Sequence, residues 1–545
     1  MGQQDGRVAK ADSLMECGLW REAADAYAEV VATGGSDFDL HFNYGSALMH
    51  LFRFEEGREQ YSLALRYRQD SVEALTNLAG AQVNLGLPCA AEETFRRIIA
   101  KRPDYQTAWV NLGVALSDQG RVTEGIEALQ RGVELAPDDP AARNNLLLHL
   151  NYISTDGLGL AEVHQMLCEH LPSPPPKVLG DATGRRIRIG YVSNDFRGHS
   201  VAFFMLGILA THDRSAFEVF CYSLTHAPDR TTESFARLAE HFVDLSAVTD
   251  AEAAGRIQAD HIDILVDLGG HTSGSRIEIF AFRPAPIQVT YLGYPATTGC
   301  AFMDFRLVDA LTDPEGADSF ATESLIRLPS PFLCYSPNAA YPDPSPLPAL
   351  ANGHITFGSF NQSAKISDET LDLWSRVLAG VPGSRMFIKA RAFSDALVCE
   401  QFRERFAERG IDSSRLTFSG LIANSKDHLA AYGNVDIALD TYPYHGTTTT
   451  CEALWMGVPV ISLVGDLHAA RVGLSLLTAV QLEGLATFSA DAYVGLAVGL
   501  SEDRNELANL RSHLRQVVSS SPLCDRTRFM KGLEGAYLKL MLGGA

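Results

Sequence analysis

A 34-residue period runs through the first 150 residues of this 545-residue chain and fixes what that part can become. Asn43, Asn77, Asn111 and Asn145 recur at that interval, as do Gly18, Phe52, Gly86 and Gly120. Tyr27, Tyr61, Phe95 and Leu129 keep the same step, and so do Pro103 and Pro137. Each unit reads as a helix pair whose small residue allows close crossing, with the aromatic of the Tyr27 series plugged between neighbours. No such unit can bury its apolar face alone, so the units must stack into a solenoid. About three to four repeats fit before the pattern fades near Leu150.

The stretch Ala108-Trp109-Val110-Asn111-Leu112-Gly113 resembles the opening of a tetratricopeptide repeat, and Arg102-Pro103-Asp104 and Ala136-Pro137-Asp138 resemble its end. An arm of this kind serves protein binding or oligomerisation, a homodimer included. The Asn series narrows that reading. One amide per repeat on the inner helix forms a ladder, and an amide both donates and accepts, so Asn43, Asn77, Asn111 and Asn145 can clasp the backbone of an extended peptide. Asn at this position also makes hydrogen bonds local to the repeat.

Residues 151–185 read as a linker: a short helix, then Pro172, Pro174, Pro175 and Pro176. Beyond it, apolar β-rich runs alternate with helix-length segments. Ile187–Val192, Phe217–Tyr222, Ile264–Leu268, Gln288–Tyr291 and Arg306–Val308 are strand candidates of a first lobe, 186–340. After a second proline-rich stretch, Tyr341–Pro348, come Ile355–Phe357, Met386–Lys389, Leu416–Phe418, Ile437–Leu439 and Val460–Leu463 of a second lobe, 350–545 with its C-terminal helix. Strands spaced by helices mean parallel sheets with right-handed crossovers. The expected fold class is α plus α/β: a repeat solenoid over 1–150, then two Rossmann-like lobes with ligands in the cleft at the strand C-terminal ends.

Charge narrows the partners. Lys and Arg number 45 against 66 Asp and Glu, a net −21, which argues against a broad nucleic-acid or anionic-membrane surface. The polar start, Met1 to Gly6, has no signal-peptide core, and no apolar run is long enough to span a bilayer. Nine scattered cysteines without a C-x-x-C pair suit a reducing compartment and disfavour a structural zinc site. A cytoplasmic location is expected.

Chemistry concentrates in loops that follow strands. Asp440-Thr-Tyr-Pro-Tyr-His-Gly446 leads into Thr447, Thr448, Thr449, Thr450, Cys451 and Glu452 at the start of a helical run. Four hydroxyls at a helix N-terminus, after a glycine, make a diphosphate seat; ordinary capping needs only one. Glu452 can accept from ribose hydroxyls. Phe357-Gly-Ser-Phe-Asn-Gln362-Ser-Ala-Lys365 follows another strand, and Lys365 there can neutralise a departing diphosphate; a lone loop lysine is otherwise a solvated charge. Gly190 to His199 brings His199 to the cleft as base or orienter, with Asp195 to position it, unless the ring is structural. His271 and Thr272, then Gly293 and Pro295, lie after later strands and can line the sugar and phosphate side. The one D-x-D triplet, Asp37-Phe38-Asp39, falls in the repeats, so no metal or other cofactor is expected and cationic and helix-end contacts must carry the charge.

Together these residues resemble the family of the protein O-GlcNAc transferases and plant SPINDLY, from the repeats through the C-terminus. Arg283-Pro-Ala-Pro-Ile-Gln-Val-Thr290, Gly293-Tyr-Pro295, Phe360-Asn-Gln362 with Lys365, and the threonine run occur in family order. The resemblance implies a GT-B fold, metal-free inverting transfer from a nucleotide sugar to Ser or Thr, and repeats that guide protein acceptors. It makes His199 the active-site histidine, Lys365 the essential diphosphate lysine and Gln362 its neighbour. Thr448 and Thr449 become phosphate contacts, and Glu452 the ribose carboxylate. Thr447 stands where O-GlcNAc transferases have His; near His428, Ser425 and Ala431 replace a uracil-side lysine and arginine. Phe332 to Pro337 and Val472 to Leu477 look more like SPINDLY, a GDP-fucose enzyme. The donor is therefore GDP-fucose or UDP-GlcNAc. A non-catalytic repeat scaffold and a transferase for lipid or polysaccharide acceptors are the rival readings.

Overall fold

The computed structural model describes residues 2–172, 175, 184–329, 331–338 and 340–542; Pro174 and Pro176 of the expected linker lie outside them. Eight helices pair along the arm: Gly2–Glu16 with Trp20–Ala32, Phe38–His50 with Phe54–Tyr67, Val72–Leu85 with Pro88–Lys101, and Gln106–Asp118 with Val122–Leu135. Helix Pro140–Leu150 closes the stack. The periodic positions account for the packing. Tyr27, Tyr61, Phe95 and Leu129 are at most 3% exposed. A Cβ on Gly45 would come within 2.9 Å of the Tyr61 ring, and one on Gly113 within 2.6 Å of Leu129, so these helices cross as closely as only glycine permits.

Gly18, Gly86 and Gly120 turn the chain between paired helices at φ of +73°, +72° and +75°, and Phe52 takes the same place at +59°. A side chain in that region costs about 1–2 kcal/mol. Phe52 is 73% exposed, so burial returns little. Phe52→Gly is expected to raise stability by up to about 1 kcal/mol, after the extra chain entropy of glycine. A higher midpoint in urea denaturation would record it.

Two parallel sheets follow. β1 (Ile187–Ser193), β2 (Phe217–Ser223), β3 (His241–Asp244), β4 (Ile264–Asp267), β5 (Ile287–Tyr291), β6 (Phe305–Asp309) and β7 (Ser324–Leu328) lie in the order β3-β2-β1-β4-β5-β6-β7. β8 (Thr356–Ser359), β9 (Arg385–Lys389), β10 (Leu416–Ser419), β11 (Ile437–Leu439), β12 (Val460–Leu463) and β13 (Ala486–Thr487) lie in the order β10-β9-β8-β11-β12-β13. Strand order reverses between β1 and β4 and again between β8 and β11, which places a crevice at the C-terminal ends of each pair. The central strands are buried along their length, as parallel strands covered on both faces must be. β3 and β7 are half-exposed edges and β13 has two residues, so none carries a clear apolar run.

The last helix, Arg526–Met541, departs from expectation. It follows the second lobe in sequence but packs on the first, burying Phe529, Met530, Leu533 and Tyr537 beside helix Ala202–Thr211. Tyr537 Oη lies 3.3 Å from Tyr191 Oη of β1, and Glu534 accepts from the His212 ring and the Asp213 amide, both at 2.9 Å. That face of the first sheet has an apolar surface to cover, and the helix covers it.

The arm meets both lobes. Arg391 donates to the Val83 carbonyl at 2.7 Å, the Cys89 amide donates to Asp395 at 3.2 Å, and Asn151 donates to Tyr294 at 2.9 Å. Among the described residues, no helix is long and apolar enough to cross a membrane.

Candidate active site

The loop after β11 is built around one carboxylate. Asp440 Oδ1 accepts from the amides of Thr441 (3.0 Å) and Gly446 (2.8 Å) and from Asn361 Nδ2 (3.1 Å), while Oδ2 accepts from Ser462 at 2.8 Å. This tethers the loop to the one after β8. Helix Thr448–Trp455 then begins with its first amides free of intrahelical partners. A Cβ on Gly446 would lie 2.3 Å from Thr449 Oγ1, so the loop closes only over glycine. The four hydroxyls separate into two sets. Thr449 donates to Asn361 Oδ1 at 2.8 Å and Thr450 to the Gly446 carbonyl at 3.0 Å, leaving Thr447 and Thr448 for a ligand. Thr450 does not line the central cavity, which corrects the expectation that all four hydroxyls seat a diphosphate.

That cavity, of about 440 Å³, lies between the lobes and is lined by Gln362, Lys365, Thr447 and Thr448 from one side and Asp195, His199, Thr272, Gly293 and Pro295 from the other. Lys365 Nζ donates to the His445 carbonyl at 2.9 Å and sits 3.9 Å over the Tyr444 ring. Burial brings its pKa down to about 7, against the opposing pull of Asp440. The sign follows. An ammonium is present below about 7 and lost above it, so kcat/KM, which reports the donor-free protein, is expected to fall above neutrality. A bound diphosphate stabilises the charged form, so kcat should hold to higher pH. Rate measurements from pH 6 to 9 at low and at saturating donor separate the two.

On the first lobe, Gly293 brings backbone against backbone: a Cβ there would stand 1.9 Å from the Leu268 carbonyl. Thr272 Oγ1 is buried with no hydrogen-bond partner among the described residues, a polar group left for a ligand. His199 has a side chain 40% exposed, with Nδ1 at 3.4 Å from Asp195 Oδ2 and the same distance from the Val201 amide. Burial pushes His199 down and Asp195 up, each opposed by the other's charge. Arg197 also approaches Asp195, at 3.6 Å.

Other expected residues lie apart from the cavity. His271 is fully buried behind it, and both ring nitrogens are engaged, Nδ1 with Asn144 Oδ1 at 2.9 Å and Nε2 with the Thr298 carbonyl at 2.7 Å. It anchors the end of the arm and does not reach a donor. Glu452 and His428 face each other at 3.0 Å beside the stacked Phe360 and Tyr432 rings, whose centroids are 4.0 Å apart, and neither lines the cavity. In the arm, Asn43 donates to Asp12 at 3.2 Å, Asn145 to the Ala141 carbonyl at 2.8 Å and Asn77 to the Tyr61 hydroxyl, so three of the four amides are engaged within the repeats.

The scattered cysteines also meet where spacing gave no sign of it. The Cys168 and Cys300 sulfurs and His271 Nε2 lie within 4.8 Å of one another. Both sulfurs and the ring nitrogen turn to the Thr298 carbonyl, at 3.5, 3.4 and 2.7 Å. Three donors converging on one acceptor account for the grouping.

Sequence reasoning missed Tyr152, Tyr444, Asn361 and His468 in the cavity wall. Tyr152 comes from the end of the arm and packs on Tyr444 at 5.2 Å between ring centroids. His468 follows Gly465 and Asp466 after β12, so the rule that found the other loops also applied to it.

The profile of glycosyl transferase family 41 matches residues 160–341 and 347–533, and that of the tetratricopeptide repeat matches 8–74 and 76–140. The chain is 40% identical over 426 residues to a protein of Oryza sativa subsp. japonica named probable UDP-N-acetylglucosamine–peptide N-acetylglucosaminyltransferase SPINDLY, covering 76% of this chain and 45% of that one. It is 30% identical over 467 residues to the UDP-N-acetylglucosamine–peptide N-acetylglucosaminyltransferase of Caenorhabditis elegans, covering 64% of this chain and 40% of that one. The chain thus spans less than half the length of these relatives. A solved lysine-to-methionine mutant of Thermobaculum terrenum O-GlcNAc transferase superposes with a TM-score of 0.86 at 33% identity, over 92% of this chain and 97% of that one.

Proposed function

Because this chain belongs to glycosyl transferase family 41, we propose that it transfers a sugar from a nucleoside diphosphate onto Ser or Thr hydroxyls of a protein held by the repeat arm. The observation that carries the reading is the shared crevice: Lys365, the free Thr447 and Thr448 hydroxyls and the start of helix Thr448–Trp455 open onto one cavity. Negative charge that develops on a leaving diphosphate would meet an ammonium and unpaired amides already in place, so no reorganisation is needed as the bond breaks.

The acceptor side follows from the arm. Leu148 and Tyr152, at its end, form part of the cavity wall, so a peptide running along the inner helices past Asn77 and Asn111 arrives at the anomeric carbon. Its hydroxyl attacks from the face opposite the diphosphate and inverts the configuration. The donors to compare are GDP-fucose, which the SPINDLY-like motifs favour, and UDP-N-acetylglucosamine, which the names of the rice and worm relatives specify. Neither Ser425 nor Ala431 brings a cation to the side where Glu452 and His428 pair.

Nucleotide release from a panel of nucleotide sugars, with and without a Ser/Thr peptide pool, tests the proposal. Peptide-stimulated release and a matching mass increase on the peptide are expected with one of the two donors. No release from any donor would leave a binding scaffold, and release coupled only to a lipid or glycan would replace the protein acceptor.

A further inference from the structure

The cleft contains a second histidine, and it is held more firmly than the first. His468 Nδ1 lies 2.5 Å from Asp313 Oδ2, where His199 stands 3.4 Å from Asp195. Asp313 is buried and backed by Arg306, whose Nη1 is 3.6 Å from Oδ1; the neighbouring His468 ring and Arg306 hold the Asp313 carboxyl below the usual carboxylate range. The Phe332 ring meets the imidazole in a T-shape at 5.1 Å and walls one side of it. A carboxylate at this distance fixes the tautomer, with the proton on Nδ1 and the lone pair on Nε2. Among the described residues Nε2 has no hydrogen-bond partner, and the ring lines the cavity that holds Lys365 and Thr448. Asp313 comes from the loop after β6 and His468 from the loop after β12, so the pair exists only when the two lobes meet.

Carboxylate, imidazole and open cavity in that order form the arrangement that activates a hydroxyl. We propose that His468, oriented by Asp313, is the base that takes the proton of the acceptor hydroxyl. The inference rests on the transferase reading and assigns its proton. As the hydroxyl oxygen bonds to the anomeric carbon, its proton passes to His468 Nε2. The bond from that carbon to the diphosphate oxygen breaks, and its electron pair leaves with the nucleotide, towards Lys365. The imidazolium, stabilised by Asp313, returns its proton to solvent. His199, loosely tied and more exposed, is then left to orient donor or acceptor.

The test uses the full chain with GDP-fucose and UDP-N-acetylglucosamine as donors, a Ser/Thr peptide pool as acceptor, and GDP and UDP as binding probes. His468→Ala is expected to lower transfer kcat roughly 100-fold or more, the scale of general-base catalysis, with nucleotide Kd within about threefold of wild type. Added imidazole should restore part of the rate in His468→Ala, which a merely structural histidine would not permit. Asp313→Asn keeps the shape but cannot stabilise an imidazolium, and should lower kcat without weakening nucleotide binding; it carries the test if His468→Ala does not fold. Transfer within threefold of wild type in both variants, parallel loss of nucleotide affinity, or no response to imidazole would overturn the assignment. No transfer by the wild-type chain with either donor would remove the transferase reading itself, and this inference with it.

Discussion

Lys365→Met is expected to lower kcat by roughly 10²–10³-fold while leaving the fold intact, the loss seen when one preorganised contact to developing charge is removed. The lysine has few other duties: one hydrogen bond to the His445 carbonyl and a seat over Tyr444. Methionine fills the same length of that slot without a charge. Its effect on stability has a definite sign. Burial brings the lysine down to about 7, so in wild type the unfolded chain binds the proton more tightly than the folded one. Wild-type stability therefore rises as pH climbs from about 7 toward the ordinary lysine range, and the penalty is complete below about 7. The methionine variant carries no such penalty, so its melting temperature should equal or exceed that of wild type, with the largest gap on the acid side. Single-turnover kinetics and thermal denaturation at pH 6 and 9 check both halves. Near-normal turnover would mean that the lysine does not face the leaving group.

The second large effect belongs to Asp440. Asp440→Ala strands four donors at once, the amides of Thr441 and Gly446, the Asn361 carboxamide and the Ser462 hydroxyl. Each buried orphan costs about 1–3 kcal/mol, and shared relaxation of the loop brings the expected loss to about 3–5 kcal/mol. Nucleotide affinity should fall with it, because Thr447 and Thr448 keep their places only while the loop is tethered. Ser462→Ala, which removes a single donor to the other carboxylate oxygen, should cost about 1 kcal/mol and leave the loop in place. Chemical denaturation and calorimetric titration with GDP and UDP measure the two side by side. Equal stability of the two variants would show that the carboxylate does not organise the loop.

Much of this architecture was legible in the residues because it is written locally. The 34-residue step fixes which side chains meet between repeats, and Gly45 against Tyr61 is that rule in atoms. Loops at the ends of parallel strands were found from strand–loop–helix punctuation, and Lys365, Thr448 and His199 do share one cavity. What escaped depends on partners far away in the chain. His271 looks like a cleft residue until Asn144, from the end of the arm, engages its ring. Cys168 and Cys300 are 132 positions apart, and only folding brings them to the Thr298 carbonyl. His468 carries its meaning through Asp313 in the other lobe, 155 positions earlier, and no local spacing encodes that pairing. That Thr449 is structural rather than free likewise follows from Asn361, not from the run itself.

The chain passes between the lobes twice, once ahead of β8 and again where helix Arg526–Met541 returns to the first sheet. Two covalent crossings bind the second lobe to the first at both of its ends, so release of the terminal helix would leave a single strand of chain between them.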